Sequence, residues 1–443
     1  MSYNTYENYK DSGIEWIGQI PAHWKIIKSK SIFKRYNIQS TTGKEELLSV
    51  SEYYGVKPKK DTISEGDFLT HADSLIGYKK CFKNDLVMNI MLAWKKGLGI
   101  TNYDGIVSPA YEVFKTNQEI AVPKFMHYLL RTKLYTNEFK KHSYGIIDSR
   151  LRLYPDNFKV IPFIIPTIIE QQIISNYLDK KIDEINIYIA KNKELISLLE
   201  EKKAALINQV VTKGLNTNVP MKDSGIEWIG QIPKHWEIRK MKNLIFFQEG
   251  PGLRNWQFTD EGIRVICVTN ITEKGIDFSN YEKFISKEEY KQIYQHFTVN
   301  KGDLLLSSSG NSWGKVAEYI DDEIVILNTS TIRINENKKL GNVLNQSFIK
   351  WSLQSEAVRE QLGLMMTGSC QPNFGPTHLA KVLLTYPPSK KEQKEISDYL
   401  DKKINEINNI VEKVEDGIKL LEEYKTSLIH NAVTGKIDVR DEV

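Results

Sequence analysis

The run Gly310–Val316 comes nearest in this chain to a nucleotide-binding motif. A GxxxxGK[ST] loop cradles phosphates with backbone N–H groups and holds Mg²⁺ through its final hydroxyl. Here Gly310 and Gly314 are one residue too close together, and Val316 occupies the hydroxyl position. The run therefore does not predict a nucleotide site.

A Pro-Pro pair at Pro387 and Pro388 is the only hint of methyltransferase chemistry. An amino-methyltransferase needs Asn or Asp before this pair and an aromatic residue after it, but Tyr386 and Ser389 occupy those places. No glycine-rich loop follows a strand in a way that would hold S-adenosylmethionine. The pair is better interpreted as a rigid start to the helix that follows it.

Acidic and basic residues could be combined into a nuclease centre from Pro155–Asp156 and Asp179–Lys181. The lysines of the second group fall on a predicted helix, and the related run Asp401–Lys403 has no Pro-Asp before it. A solvated helix face is the simpler interpretation. The sequence predicts no catalytic residue.

The histidines and cysteines do not show the spacing of a metal site. His23 and His235 each lie in a repeated P-x-H-W run, where packing or capping is the expected role. Cys81, Cys267 and Cys370 are far apart and odd in number, which suits a reducing cytoplasm. We therefore expect no bound metal, no disulfide and a cytoplasmic location.

Two segments occur twice in the chain. Residues 10–24 (KDSGIEWIGQIPAHW) and 222–236 are identical at 14 of 15 positions, and the 43-residue segments that start at Glu170 and Glu392 are identical at 24. The residues between them, about 25–165 (block 1) and 237–387 (block 2), share little sequence. The sequence thus predicts a repeated framework that carries two different globular blocks.

The longer repeat has the spacing of a coiled coil. Apolar residues recur every three or four positions from Leu178 to Val210 and from Leu400 to Ala432, and Lys203 and Lys425 occupy the same heptad position. Each helix would extend ~50 Å at 1.5 Å per residue. The simplest way to bury both stripes is to pair the helices antiparallel within the chain. The alternative is that each helix packs on its own block.

The order of these elements resembles the DNA-specificity subunit of type I restriction–modification systems. DSGIEWIGQIPxHW, a variable block and EQxxIxxYLDKKIxEI occur in this order twice, so the resemblance covers nearly the whole chain. Block 1 also contains MLAWKKGLGITNYDGIVSPAYEVF (91–114) and SYGIIDSRLRLYPDNF (143–158). Block 2 contains KGDLLLSSSGNSWGKVA (301–317) and GSCQPNFGPTHLAKVLLTYPP (368–388).

The resemblance implies an α+β fold with two target recognition domains in a pseudo-two-fold arrangement, separated by an antiparallel coiled coil. The expected divisions are residues 1–165 and 214–387 for the recognition domains, each with its repeat motif. Residues 166–213 and 388–443 are the spacer helices, the latter with a C-terminal tail.

The resemblance also implies the function and the partners. Each domain would recognise one half of a split, non-palindromic target in double-stranded DNA, and the helices would set the gap. The chain would dock two adenine methyltransferase subunits and motor-nuclease restriction subunits. S-adenosylmethionine, ATP and Mg²⁺ are expected on those partners, and no cofactor or catalysis on this chain.

Base edges are recognised by Arg, Lys, Asn, Gln, Ser or Thr on protruding loops, whereas phosphate contacts only position the DNA. Lys79 and Lys80 are expected to contact phosphates. The other candidates in block 1 are Lys95, Lys96, Tyr144, Ser149, Arg150 and Arg152. Those in block 2 are Ser308, Ser309, Asn311, Trp313, Lys315, Gln371 and Asn373. Trp16, Trp24, Trp228 and Trp236 of the shorter repeat are expected to anchor each block.

The charge of the chain is uneven, although its net value is only +4. Residues 25–160 carry nine more basic than acidic residues, and residues 237–386 carry equal numbers. A basic block favours a polyanionic partner. Two other functions stay open at this stage: a coiled-coil scaffold that binds only proteins, and a fused methyltransferase or nuclease.

Overall fold

The structure is a computed structural model that describes residues 4–62, 74–366 and 372–442. The chain divides into two compact units. Unit 1 comprises Met1–Asn192 and Asp416–Val443, and unit 2 comprises Lys193–Glu415. Each unit therefore contains one globular block and a part of each long helix.

The two long helices extend over Ile168–Lys213 and Lys390–Val433. In unit 1 the start of the first helix and the end of the second belong to one apolar core, which includes Leu178, Ile185 and Leu428. The Lys425 ammonium donates to Asn186 Oδ1 at 3.2 Å across this pair. The two helix segments of unit 1 are therefore antiparallel neighbours.

Unit 2 contains the reciprocal segments of the same helices. Ile207 and Val210, near the end of the first helix, share a core with Leu400 and Ile404, near the start of the second. Val210, Leu400 and Ile404 are predicted heptad positions, whereas Ile207 lies beside the predicted Leu206, which is only partly buried. The predicted heptad positions of both helices are buried or partly buried, as a coiled coil requires. The prediction of an α+β protein with two long antiparallel helices is confirmed.

The long helices also pack on the blocks, so the alternative interpretation holds for their ends. In unit 1 the Tyr128 hydroxyl of block 1 donates to Asp179 Oδ1 at 2.6 Å. In unit 2 the indole N–H of Trp351 donates to Asp401 Oδ1 at 3.1 Å. The two aspartates are equivalent positions of the longer repeat, which explains why both copies keep a carboxylate there.

Each short repeat folds into a hairpin whose His-Trp pair binds the glutamate that begins the longer repeat. Glu170 accepts hydrogen bonds from His23 Nε2 at 2.8 Å and from the Trp24 indole at 3.0 Å. Glu392 is bonded in the same way by His235 and Trp236. The expectation that these histidines serve a structural role is confirmed. Trp24 and Trp236 are buried and Trp16 packs on the core of unit 1, as expected of anchors, whereas Trp228 is 42% exposed and does not fit that expectation.

Block 1 is built on a four-stranded antiparallel sheet in the order Phe33–Tyr36, Tyr111–Thr116, Leu86–Asn89, Leu98–Ile100. The strands contain apolar or aromatic residues, and Asn, Asp or Gly adjoins an end of each one. The other strands of unit 1 are Tyr9–Asp11, Gln19–Pro21, Lys25–Lys28, Leu48–Ser51, Gly55–Pro58, Lys79–Cys81, Gly105–Val107 and Pro162–Ile165; its shorter helices are Ser29–Ile32, Pro123–Leu130, Lys133–Lys141 and Pro155–Phe158.

Block 2 has the same sheet, in the order Ile245–Glu249, Thr331–Glu336, Leu304–Ser307, Val316–Glu318. It adds a second four-stranded sheet in the order Phe284–Ile285, Ile263–Ile266, Val325–Leu327, Thr298–Val299. The other strands of unit 2 are Met221–Asp223, Gln231–Pro233, Glu237–Lys240, Ile271–Thr272, Gly275–Ile276 and Leu383–Tyr386; its shorter helices are Lys287–Glu289, Gln346–Leu353, Glu356–Met365 and Pro376–Leu379.

The sequence predicts one helical run at 124–139 in block 1 and another at 346–362 in block 2, but each run forms a pair of helices. The run at 124–139 is interrupted at Thr132, whose hydroxyl caps the second helix by accepting from the Tyr135 N–H. The run at 346–362 is interrupted at Ser355, whose hydroxyl caps the second helix by accepting from the Val358 N–H. A hydroxyl that satisfies free N–H groups begins a new helix, so the apolar pattern alone does not show the break.

Among the described residues, none of the helices combines the length and the apolarity that crossing a membrane requires.

Candidate nucleic-acid interface

Residues 90–97 connect the last two strands of the block 1 sheet, and we call them hairpin loop 1. A short 3₁₀ turn at Ala93–Lys95 leads to Lys96, which has a left-handed backbone with φ of 66°. The Arg131 guanidinium donates to the Lys96 and Leu98 carbonyls at 2.5 and 2.8 Å. Burial lowers the pKa of Arg131 to about 10, so this clamp is charged at neutral pH.

Residues 308–315 occupy the same position in the block 2 sheet, and we call them hairpin loop 2. Strand partners at the base of each loop are ten residues apart, Met88 with Leu98 and Leu306 with Val316. Gly314, at the place of Lys96, also has a left-handed backbone, with φ of 80°. The two blocks have little sequence in common, yet each has a loop of the same length at the equivalent position of its own sheet.

A second segment lies beside each loop, between a block's paired helices and its last short helix. In unit 1 the Leu153 N–H donates to the Ile90 carbonyl at 2.8 Å. In unit 2 the Phe374 N–H donates to the Ser308 carbonyl at 3.0 Å. We call these segments adjoining segment 1 (residues 142–154) and adjoining segment 2 (residues 366–375, of which 367–371 lie outside the described residues).

The candidates in block 1 gather on hairpin loop 1 and adjoining segment 1. Lys95 is exposed, and its ammonium lies 4.9 Å from the centre of the Trp94 ring. Tyr144 and Arg152 pair through their backbones at 3.0 and 2.9 Å and bracket the exposed Arg150. Ser149 lies in the 3₁₀ turn Asp148–Arg150, and Lys96 is partly buried.

Lys79 and Lys80 point in different directions because neighbouring residues of a strand face opposite sides of the sheet. Lys79 is buried, and its ammonium lies 3.1 Å from Glu112 Oε1 and donates to the Tyr111 carbonyl at 2.6 Å. Lys80 is partly exposed and pairs with Glu45 at 2.8 Å. Lys80 and the Ser40 hydroxyl lower the pKa of Glu45 to about 2. We leave Lys79 out of the proposed interface, because a phosphate contact would break a buried ion pair.

The candidates in block 2 divide into exposed and packed side chains. Asn311 and Asn373 are exposed, and Ser309 pairs with Asn373 through the backbone. Ser308 is buried, and its hydroxyl donates to the Ser330 carbonyl at 3.0 Å. Gln371 lies outside the described residues.

Trp313 and Lys315 complete hairpin loop 2. The Trp313 ring packs edge-on against Phe374, and the Arg359 guanidinium lies 4.8 Å from the ring centre. Lys315 is partly exposed, and its carbonyl accepts from the Ser307 N–H at 2.9 Å. Trp313 therefore supports the loop, whereas Lys315 is available at its edge.

One sequence feature indicates that the two hairpin loops occupy equivalent positions in their blocks. Asp85 and Asp303 begin the two hairpins 218 residues apart, and each accepts a backbone N–H bond at 2.8 Å, from Phe82 and from Asn300. Lys140 is a residue that the sequence did not suggest: its ammonium lies 4.8 Å from the Trp94 ring centre. It comes from a helix more than forty residues along the chain, so no local pattern indicates it.

In the described residues, no three His, Cys, Asp or Glu side chains are grouped as a metal ion would require. Cys81 and Cys267 are buried and unpaired with each other. The candidate interface therefore consists of amides, hydroxyls, cations and aromatic rings.

Residues 233–420 match the family model described as type I restriction modification DNA specificity domain. The chain is also 22% identical over 453 residues to the type I restriction enzyme MjaVIII specificity subunit of Methanocaldococcus jannaschii. That alignment covers 100% of this chain and 98% of the relative.

Two solved structures share the fold. A chain from a study of complex assembly and conformational transition of the type I R-M system has a TM-score of 0.64 at 13% identity. The HsdS subunit from Thermoanaerobacter tengcongensis has a TM-score of 0.51 at 14% identity. Each match covers 94% of this chain and 98% of the other.

The fold of this chain is thus shared with these two structures. The resemblance to the specificity subunits of type I restriction–modification systems is confirmed.

Proposed function

We propose that this chain is the DNA-recognition subunit of a type I restriction–modification complex. Block 1 recognises one half of a split, non-palindromic target, and block 2 recognises the other half. Hairpin loops 1 and 2 carry this proposal, because they have the same length and place in the fold but different side chains. Lys95 and Lys96 of one loop stand where the other has Trp313 and Gly314. Loops that differ in this way suit half-sites of different sequence.

We assign exposed and partly exposed polar side chains of the hairpin loops and adjoining segments to the DNA bases. In block 1 these are Lys95, Tyr144, Arg150 and Arg152, with Lys80 as a phosphate contact. In block 2 they are Ser309, Asn311, Lys315 and Asn373. Arg and Lys pair with guanine acceptors, and Asn pairs bidentately with adenine, so each block has suitable donors and acceptors.

The chain docks two methyltransferase subunits and the motor-nuclease restriction subunits in this proposal. A framework that occurs twice gives two equivalent docking surfaces, one for each methyltransferase. Chemistry on a base requires that the base leave the stack, so the catalytic partner must act while this chain holds the duplex. S-adenosylmethionine, ATP and Mg²⁺ then belong to the partners, and this chain supplies recognition alone.

The experiment is methylation-sensitive sequencing of a host that carries this chain and its methyltransferase gene. We expect adenine methylation in one split, asymmetric motif, with one adenine in each half. A host with the methyltransferase alone is the control and should lack the motif. A continuous or palindromic motif would contradict the assignment of one block to each half.

The long helices set the gap between the half-sites in this proposal. Inserting one heptad into both helices adds ~10 Å at 1.5 Å per residue. At 34 Å per ~10 base pairs, the gap in the methylated motif should lengthen by ~3 base pairs while both half-sites stay the same. Insertion of a seven-residue flexible sequence into one block's surface loop is the control and should leave the gap unchanged. Altered half-sites in the heptad variant would show that the helices do not determine the gap.

A further inference from the structure

Trp256 is the most exposed tryptophan among those whose exposure the structure describes, at 80%. It lies in the 3₁₀ turn Asn255–Gln257, directly after Arg254. Arg254 and Asn255 are exposed as well. A large aromatic side chain normally gains by burial, so a tryptophan held in solvent beside a cation is a candidate for contact with a partner.

The turn is fixed on both sides of the indole. Leu253 is buried in a small core with Val265 and Cys267. The buried Gln257 accepts from the Arg254 N–H at 2.9 Å and bonds to the Tyr294 hydroxyl at the same distance. Trp256 is therefore presented by an ordered turn, and little conformational entropy is left to lose on binding.

The turn follows the strand of the block 2 sheet that ends at Glu249, on the edge that carries hairpin loop 2. Glu249 Oε1 accepts from the Ser330 N–H at 3.2 Å, and the Ser330 carbonyl accepts from the Ser308 N–H at 2.9 Å. Gly250 passes so close to Asn328 that a Cβ would lie 2.1 Å from its carbonyl oxygen. This close approach places the chain at the proposed DNA-facing edge five residues before the turn begins.

A second connection runs through the other sheet of block 2. The Ser312 hydroxyl of hairpin loop 2 lies 3.5 Å from the Val268 carbonyl. Val268 follows Cys267, which shares its core with Leu253. Leu253, beside the turn, thus shares its core with the residue that precedes a contact of hairpin loop 2.

The chemistry of the turn suits a nucleic acid. Residues 250–258 contain Arg254 and no acidic residue, and the Lys283 ammonium lies 5.3 Å from the centre of the Phe258 ring. Arg and Asn bond to base edges and phosphates, and an indole stacks on a base or wedges between base pairs. Block 2 has no excess of basic residues, so an apolar contact would supply affinity that charge does not.

We propose that Trp256 is a DNA-contact residue of block 2, whose indole packs against a base of the block 2 half-site while Arg254 and Asn255 bond beside it. This inference rests on the proposed function. It adds a recognition element that hairpin loop 2 and adjoining segment 2 do not include.

The test uses the full chain assembled with its methyltransferase and a fluorescein-labelled duplex of about 40 base pairs that carries the sequenced motif. The W256A variant should bind this duplex ~10- to 100-fold more weakly, because stacking on an aromatic ring contributes strongly to binding of each base. The W256F variant keeps a ring and should retain most of the affinity. On a duplex with the block 2 half-site scrambled, W256A should bind as the wild type does.

Ile320→Ala is the matched control. Ile320 is 67% exposed and lies beyond the end of the hairpin strand Val316–Glu318 that is away from hairpin loop 2. Its replacement removes an exposed apolar side chain of the same block, and affinity should not change. Because both side chains project into solvent, neither variant disturbs a core, and circular dichroism should show the wild-type fold.

The outcomes separate the inference from the proposed function. If W256A binds the motif as tightly as the wild type, the inference is wrong and the proposed function stands. If W256A fails to assemble with the methyltransferase in size-exclusion chromatography, the turn binds a protein and the inference is again wrong. If the wild-type complex binds no duplex specifically, the proposed function fails and the inference fails with it.

Discussion

Block 1 and block 2 have the same principal sheet and different surfaces on its edge. Hairpin loop 1 presents Lys95 beside Trp94 and is fixed by Arg131, whereas hairpin loop 2 presents Asn311 and is supported by Trp313. Block 1 carries nine more basic than acidic residues, and block 2 carries equal numbers. Strand pairing thus determines the position of the loops, and the side chains on them are free to differ.

The repeated framework differs from the blocks in the opposite way. Its side chains are the same in both copies, but the residues around them and their exposure to solvent differ. The Glu170 side chain is 4% exposed, and the Glu392 side chain is 29% exposed. Glu170 also accepts from the Tyr6 hydroxyl at 2.8 Å. Burial and the nearby carboxylate raise the pKa of Tyr6 above its usual range, so this phenol stays protonated and donates.

The largest expected effect on stability is therefore the loss of Glu170. Glu170→Ala leaves the Trp24 indole and the Tyr6 hydroxyl buried without an acceptor and should cost ~2–4 kcal/mol. Glu392→Ala should cost ~1 kcal/mol, because water reaches this site and can replace the carboxylate. Hydrogen exchange read by mass spectrometry, on peptides covering residues 4–24 and 221–236, measures the local opening free energies. If the two variants lowered the local opening free energies by equal amounts, the predicted difference between Glu170 and Glu392 would be wrong.

The two hairpin loops should respond differently to substitution in the assembled complex. Asn311→Ala removes a base-edge contact and should cost ~1–3 kcal/mol for the correct base, with relaxed specificity at one position of one half-site. Lys95→Ala should relax specificity at one position of the other half-site, and because it also removes a cation it should reduce the slope of log affinity against log salt. Fluorescence anisotropy over a salt series checks both. If Lys95→Ala weakens binding to all sequences equally, Lys95 contacts a phosphate and its assignment to a base is wrong.

The smallest expected effect is the response of unit 1 to acid. Burial and the nearby Arg131 lower the pKa of His127 to about 4, partly offset by a bond to the Ile100 backbone and by Asp179. Because the unfolded chain then takes up this proton first, unit 1 is stabilised above pH ~6.5 and loses stability as the pH falls towards 4. His127 is partly buried as a residue, so we expect a loss of ~1–2 kcal/mol.

The variant His127→Gln isolates the contribution of His127 to the pH dependence of stability. Burial and Lys436 also lower the pKa of His430 in unit 1, so part of the acid response should remain in the variant. Hydrogen exchange at pH 7 and pH 5, corrected for the intrinsic rates, gives the opening free energy of the Pro123–Leu130 helix. An unchanged pH dependence in His127→Gln would assign the whole response to other groups.

The framework was predictable from the sequence because its signals are local and repeated. The heptad spacing around Leu178 and Leu400 predicts the long helices, and identical copies of the P-x-H-W run indicate a shared structural role. The common fold of the blocks was not predictable, because Leu86 and Leu304 correspond through strand register and not through sequence. Only Asp85 and Asp303, which cap equivalent turns, indicate it locally.

The candidate site was predictable only where local sequence determines exposure. Exposed loop residues such as Lys95 and Asn311 follow from turn composition, since polar residues between two apolar runs form a surface loop. The burial of Lys79 depends on Glu112, which reaches it from another strand, and the sequence gives no local sign of that pairing. Trp256 is exposed because Leu253 and Gln257 on either side of it are buried, which only tertiary packing decides.

The exchange of one block tests most directly whether each block recognises its own half-site. Residues 25–165 would be replaced by the corresponding block of another specificity subunit, and the methylated motif would be sequenced in a host with the same methyltransferase. We predict that one half of the motif changes to the donor's sequence while the other half and the gap stay the same. A change in both halves, or in neither, would contradict the account.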